Sequence, residues 1–361
     1  MKEISSSVKY SIELLGLFLM GVIIVIGKDI IMPLVMAFFI GIMLLPVFRF
    51  FRKRKLPEAI AILLPILLMI IISALIVWLF SSQISNLLSD YDQIEHNLAG
   101  HLDALQSWIS RVFGFSPTEQ VQFIKQQSNR LFSYAGSMLS GAAGSATGVL
   151  LFFGLLPIYI YLILMYRGIF SKFLLMCFAR SEHNKVQEVM GLIERIVKKY
   201  LVGLLIQIGY ITILLWGILA IFGIEHALLI GIIFAFLNLI PYLGALIGNV
   251  FGILITLASS ESMVDILFVL GAIALVQFLD NNILMPRIVG SQVRLNALAS
   301  IVGIIIAGTM TGISGMFLAL PVLAVLKIIF DHSENYKKWG VLLGDERPAK
   351  KPVRFSRLPK K

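Results

Sequence analysis

The chain has 361 residues, 58% of them hydrophobic and only 14% charged, whereas soluble domains carry about 25% charged residues. This composition excludes a pair of ordinary soluble domains and indicates a polytopic membrane protein. The net charge of +10 needs no nucleic acid to explain it, because Lys and Arg gather in the cytoplasmic loops of membrane proteins.

An apolar run of about 20 residues crosses the roughly 30 Å of hydrocarbon in a bilayer. The first such run is Ile12 to Ile26, read as a retained helix because no small-residue cleavage site follows it. Lys28-Asp29 then reads as a tight polar turn before a second span, Ile30 to Phe48, with Pro33 in its first turn. The loop RFFRKRK, with Arg49, Arg52, Lys53, Arg54 and Lys55, predicts a cytoplasmic location for itself and for the N-terminus. A third span, Ala59 to Phe80, leads outward.

From Ser81 to Ser140 the chain turns polar, with five acids against three bases. Apolar residues such as Ile84, Leu87, Leu88, Ile94, Leu98 and Leu102 recur at helical spacing. Ser116-Pro117-Thr118-Glu119 is a capping box with proline at its first position, and it announces a second helix. The expectation is an external helical pair over the membrane domain. His96 and His101 do not share a helix face, and no metal site is expected. The lone Cys177 excludes an internal disulfide framework.

A fourth span, Ala142 to Tyr166, opens with Gly144 and Gly148, a close-packing spacing. Arg167 to Lys199 is basic and amphipathic, with Val186, Val189, Met190, Ile193, Ile196 and Val197 on one face; it reads as a cytoplasmic helix lying on the membrane and feeding the fifth span, Tyr200 to Phe222.

The second half alternates interrupted and plain apolar stretches. Glu225 to Ala258 is broken at Asn238–Gly244, Met263 to Leu279 is continuous, and Leu298 to Phe330 is broken at Gly308–Gly315, with shorter arms still. Two topologies fit: eight spans plus one re-entrant hairpin, or six spans with both broken stretches re-entrant and in inverted repeat. Both leave the basic tail (Lys350, Lys351, Arg354, Arg357, Lys360, Lys361) in the cytoplasm. Paired Gly/Pro-interrupted segments point to a transporter's binding site. The predicted fold is therefore all-α and polytopic, with six to eight transmembrane helices and one or two re-entrant helical hairpins. Its parts are residues 1–80 (spans 1–3), 81–140 (extracytoplasmic helices), 141–166 (span 4), 167–199 (amphipathic helix), 200–331 (transport core) and 332–361 (basic tail).

Irregular backbone at membrane depth is tolerated only where it is buried in protein or lines a wet cavity. Asn238, Thr309, Thr311 and Ser314 at the two breaks, with Gln207 and Gln277 on neighbouring spans, offer hydrogen bonds to a polar solute or to one another. Gly244, Gly248 and Gly252 form a smooth ridge, suited to sliding or to static packing. Asp280, in QFLDNNILMPRIVG, is the acid placed to carry a proton or sodium ion; with Asn281 and Asn282 it also suits a helix end at the membrane surface. Arg287 and Arg294 read as positive-inside anchors. No nucleotide-binding loop, zinc motif or nucleophile elbow is present, so no enzyme activity and no cofactor is expected.

IPYLG at Ile240–Gly244, DNNILMPRIVG at Asp280–Gly290 and GISGMFLALPVLAV at Gly312–Val325 together resemble the autoinducer-2 exporter (AI-2E) family of bacterial membrane permeases. The resemblance spans about Ile12 to Phe330, by motif in the second half and by layout in the first. It implies a secondary transporter of the bacterial inner membrane and a homo-oligomer, with pentamers known in the family. Its partners would be membrane lipid and a small polar solute, autoinducer-2-like; similar proteins are linked instead to sodium/proton antiport. The family pattern falls on Pro241, Gly244, Pro286, Gly290, Gly312, Gly315 and Pro321, which would shape the hairpins. It also falls on Asp280 and Asn281, which with Asn238 are candidates for solute or ion contact. Export of a small polar solute by movement of a broken-helix unit is the expected function. Cation/proton antiport through Asp280 is the alternative, and a channel or an envelope scaffold is the reading from a different class.

Overall fold

The computed structural model describes residues 6–113, 146–241, 243–288 and 295–345. These are almost entirely helical; the one strand-like pairing among them is an isolated bridge between Leu295 and Gly344. In chain order the helices are α1 (Ser6–Ile26), α2 (Lys28–Lys53), α3 (Glu58–Ser89), α4 (Tyr91–Phe113), α5 (Ala146–Met176), α6 (His183–Ile221), α7 (Ala227–Leu237), α8 (Leu243–Ser259), α9 (Met263–Leu279), α10 (Met285–Ile288), α11 (Ala297–Thr311), α12 (Ile313–His332) and α13 (Lys337–Leu343). Among the described residues six helical segments are long and apolar enough to cross a membrane: Lys28–Lys53, Glu58–Ser89, Phe153–Met176, Arg180–Ile221, Met263–Leu284 and Ile313–His332.

The spine of the molecule is α6. Its buried positions, Val197, Tyr200, Leu201, Leu204, Gln207, Ile211, Leu215 and Leu219, recur every three or four residues and form one continuous stripe. The upper stripe packs with Leu229, Ile230 and Phe234 of α7, Ile255 of α8 and Val269, Ile273 and Val276 of α9. The lower stripe packs with Met32 and Phe39 of α2 and Leu318 of α12. A separate apolar cluster joins α2, α3 and α5 around Ala37, Phe48, Ile62, Ile160 and Leu164. The amphipathic stretch expected to lie along the membrane runs into the fifth span as one helix, and its Ile196 packs on Ala324 and Ile328 of α12.

Apolar side chains gain little from leaving lipid for a helix interface, so close fit and polar contacts decide the packing. The glycine ridge shows this directly. Gly244 faces Leu237, Gly248 faces Phe234 and Gly252 approaches Ile230, so α7 and α8 fold back on each other as an antiparallel hairpin. A Cβ on Gly244 would lie 1.8 Å from the Leu237 carbonyl oxygen, and one on Gly248 2.6 Å from the Phe234 ring. Gly244 and Gly248 form the seam of this hairpin, while a Cβ on Gly252 would meet Ile273 of α9 at 3.0 Å before it met Ile230.

The second broken stretch also forms an antiparallel hairpin, with Gly303 against Leu323 and Gly308 against Met316. Its arms are longer than the sequence suggests, 15 and 20 residues. The whole of Gly308–Gly315 looks like a break by composition, but only Gly312 departs from the helix, at φ 73° and ψ −151°. The polar side chains around it satisfy themselves on their own backbone: Thr309 Oγ1 donates to Ile306 O at 2.8 Å, Thr311 Oγ1 to Ala307 O at 3.0 Å and Ser314 Oγ to Thr311 O at 3.1 Å. Helix therefore persists through them. Gly315 is required by close approach, since a Cβ there would meet Ala307 O at 2.3 Å.

Two boundaries differ from expectation. The first turn is made at Gly27, and Lys28 and Asp29 open α2 instead of forming a loop. The third span continues to Ser89, carrying Ile84 and Leu87 against the α6–α9 core. Beyond it α4 docks on the end of α8: Asn97 Nδ2 donates to Ala258 O at 3.0 Å, and a His101 ring nitrogen lies 2.7 Å from Ser260 O. The capping box at Ser116, Gly144, Gly290, Arg294 and the basic tail from Lys350 lie outside the described residues.

Candidate functional site

Asp280 ends the buried stripe of α9. Val269, Ile273 and Val276 lie on that stripe, and Asp280 follows Val276 by one turn, which carries its carboxylate inward to 2% exposure. Residues Asp280–Leu284 then form a turn of π-helix. Such turns insert an extra residue into a helix and recur at functional sites. Past the turn's first residue the side chains swing outward: Asn281 and Asn282 are exposed, and Asn282 Nδ2 donates to Phe278 O at 2.9 Å.

Three side chains from two elements converge on the Asp280 carboxylate. From α6, Gln207 Nε2 donates to Oδ2 at 2.9 Å and the Tyr210 hydroxyl donates to Oδ1. From the break after α7, Asn238 Nδ2 donates to Oδ2 at 3.2 Å. Gln207 is the polar member of the α6 stripe, 3% exposed. Asn238 reaches Asp280 because α7 stops at Leu237 and the chain turns there.

The electrostatics of this cluster are unusual. Removing a carboxylate from water costs several kcal/mol even after relaxation, and hydrogen bonds to a charged group each return about 1.5–3 kcal/mol. All three donors to the Asp280 carboxyl group are neutral side chains. Among the described residues no Lys, Arg or His pairs with Asp280; the ion pairs lie elsewhere, at Arg49–Glu194, Arg167–Glu58, Lys327–Asp331, His96–Glu261 and His226–Asp90. Beside the carboxylate, Gln207 Oε1 is buried and has no hydrogen-bond partner among the described residues. A free acceptor next to a carboxylate suits an incoming hydroxyl donor, a proton or a small cation.

The remaining candidates separate from this cluster. Gln277 Nε2 donates to Asn281 Oδ1 at 3.2 Å one turn along, and Gln277 Oε1 is buried without a partner among the described residues. In the other hairpin Thr309 and Thr311 bond carbonyls of their own helix, and Ser314 reaches back across Gly312 to Thr311 O. Tyr210 is the member that sequence reasoning missed. It sits three residues after Gln207, and a tyrosine on that face needs a partner for its hydroxyl when buried; that is the signal that would have found it. Among the described residues no group of histidine, cysteine and carboxylate side chains is arranged to hold a metal.

The family model described as AI-2E family transporter matches residues 14–335, which takes in both hairpins and the Asp280 cluster. The chain belongs to the AI-2E transporter family. Among its relatives, the AI-2 transport protein TqsA of Escherichia coli (strain K12) is 26% identical over 326 residues, covering 88% of this chain and 90% of TqsA. YueF of Bacillus subtilis (strain 168), provisionally named a transport protein, is 29% identical over 308 residues, 82% of each chain. YhhT of Escherichia coli (strain K12), named in the same provisional way, is 25% identical over 336 residues, 92% of this chain and 91% of its own. This membership gives the AI-2E chain a multi-pass membrane setting and a transport role.

Proposed function

We propose that this AI-2E chain is a secondary transporter that exports small polar solutes, autoinducer-2-like in carrying several hydroxyls, across the bacterial inner membrane. The observation that carries the reading is the buried carboxylate of Asp280, held by Gln207, Tyr210 and Asn238 where a hairpin break meets two spans. A polyhydroxylated solute donates O–H groups, and the Asp280 oxygens and Gln207 Oε1 are acceptors ready for them. Asn238 belongs to the hairpin and Gln207 to the spine. Movement of the α7–α8 unit against α6 would make and break the site, with a homo-oligomer of this chain, a pentamer in our reading, as the fixed frame. Both termini lie in the cytoplasm in this reading.

Cation/proton antiport is the second reading, favoured by a carboxylate that has amide and hydroxyl partners but no basic one. Everted vesicles containing wild type or Asp280→Asn, with a pH-sensitive dye and an imposed proton gradient, separate the two. Solute export predicts no response to added sodium or lithium, with Asp280-dependent solute flux in the same vesicles. A cation-evoked signal that Asp280→Asn abolishes would replace solute export by antiport.

A further inference from the structure

Three cations on α6 have no role in the Asp280 cluster. Arg195, Lys198 and Lys199 line one end of a groove of about 340 Å³, and Val202, Gly203 and Ile206 line the rest. At the same end of the molecule other bases are neutralised by the fold: Arg49 bonds Glu194 at 2.7 Å and Lys327 bonds Asp331 at 2.6 Å. Among the described residues no acid pairs with Arg195, Lys198 or Lys199.

Their depth is fixed by the helix. The Arg49–Glu194 pair sets this part of α6 level with the basic end of α2, where Arg52, Lys53, Arg54 and Lys55 follow. Beyond Lys199 the helix carries no charged residue to Ile221, and its polar side chains are Tyr200, Gln207, Tyr210 and Thr212. Lys199 therefore stands at the boundary between headgroup and hydrocarbon. Below it, Val202 and Ile206 are exposed and Gly203 supplies no side chain, which leaves an apolar notch between them. From Lys199 to Ile206 is about 10 Å along the helix.

We infer that this groove is a binding site for an anionic phospholipid of the adjacent leaflet. The phosphate lies on Arg195, Lys198 and Lys199, and the first part of an acyl chain lies in the notch of Val202, Gly203 and Ile206. Charge complementarity selects the headgroup, since each base near a membrane surface adds attraction for anionic lipid. The apolar floor distinguishes a lipid from a free phosphate, which has nothing to place there. The site is one turn from Gln207 on the helix that carries both Gln207 and Tyr210, so its occupant braces the part of α6 that holds Asp280.

The test is native mass spectrometry of the purified full chain in detergent, titrated with phosphatidylglycerol, phosphatidylcholine or glycerol phosphate. Wild type should bind phosphatidylglycerol saturably and at least tenfold more tightly than phosphatidylcholine, and glycerol phosphate should not displace it at equal concentration. Arg195→Gln/Lys198→Gln/Lys199→Gln should bind it at least tenfold more weakly. Ile206→Trp, which fills the notch and keeps every charge, should also weaken it, so the proposal remains testable if the triple variant does not fold. Lys53→Gln/Lys55→Gln should bind as wild type does. Equal binding of the two lipids, displacement by glycerol phosphate, unchanged binding in both groove variants, or equal loss in the Lys53/Lys55 control would each overturn the assignment. The measurement reads binding alone, so its failure is distinct from failure of the transport reading.

Discussion

Replacing Gly244 by alanine tests whether the hairpin seam holds the site together. The added Cβ would lie 1.8 Å from the Leu237 carbonyl oxygen and 2.7 Å from the Asn238 Cα, whereas ordinary contact begins at 3.4 Å. Both neighbours are backbone, which cannot rotate away as a side chain can, so α7 and α8 must part. Overpacking of this kind costs about 1–3 kcal/mol. Parting also moves Asn238, whose amide is 3.2 Å from Asp280 Oδ2, and losing a hydrogen bond to a charged group costs about 1.5–3 kcal/mol. The two effects share residues and do not simply add; a combined loss of about 2–4 kcal/mol is expected. The assay is thermal unfolding of purified protein in detergent, paired with solute flux in proteoliposomes. Gly271→Ala on α9 is the control, because nothing lies within 4 Å of its Cβ position and alanine favours helix by about 1 kcal/mol. Gly244→Ala should melt well below wild type and lose flux, while Gly271→Ala should match or exceed wild type in melting. A Gly244→Ala protein that melts and transports like wild type would refute the seam.

Three further outcomes follow from the same geometry. Gly312→Ala places a side chain at φ 73°, ψ −151°, a region open essentially to glycine, and should cost about 1–3 kcal/mol in the same melting assay. His101→Phe removes the contact with Ser260 O and should loosen α4, read as faster hydrogen exchange over 91–113 with the exchange of α6 unchanged. Glu194→Gln breaks the pair with Arg49, whose side chains are 55% and 33% exposed; a pair this open to solvent should be worth less than about 1 kcal/mol by double-mutant cycle.

Much of this arrangement was legible in the sequence, and the failures have physical causes. Apolar runs marked five of the six long apolar helices and both interrupted stretches, because helices in lipid must satisfy their backbone internally and so need unbroken apolar runs; Ile12–Ile26, expected as the first span, falls among the shorter apolar helices, and the sixth long helix, Ile313–His332, is the second arm of the second broken stretch. Asn238, Gln207 and Asp280 were each conspicuous as polar groups in apolar surroundings, and the structure brings those three together. Asn281 adjoins Asp280 in sequence, but neighbours on a helix point about 100° apart, so Asp280 is buried and Asn281 exposed. Thr309, Thr311 and Ser314 were read as breakers by composition, although hydroxyls bonded to preceding carbonyls leave a helix intact. Tyr210 escaped notice because a tyrosine among isoleucines and leucines looks like packing until its hydroxyl is given a partner. The contact between α7 and α8 lay in the glycine spacing, but the sequence could not say which surface the ridge met.

If the Asp280 cluster is the transport site, counterflow in proteoliposomes must depend on its carboxylate. Purified wild type, Asp280→Asn and Gly271→Ala would be reconstituted at equal density, loaded with unlabelled autoinducer-2 and given labelled autoinducer-2 outside. Asp280→Asn keeps the size of the side chain but replaces an acceptor with a donor that faces three donors already there. Wild type and Gly271→Ala should show counterflow, and Asp280→Asn should lose at least tenfold with its folding intact by melting. Undiminished counterflow by a folded Asp280→Asn protein would contradict that assignment.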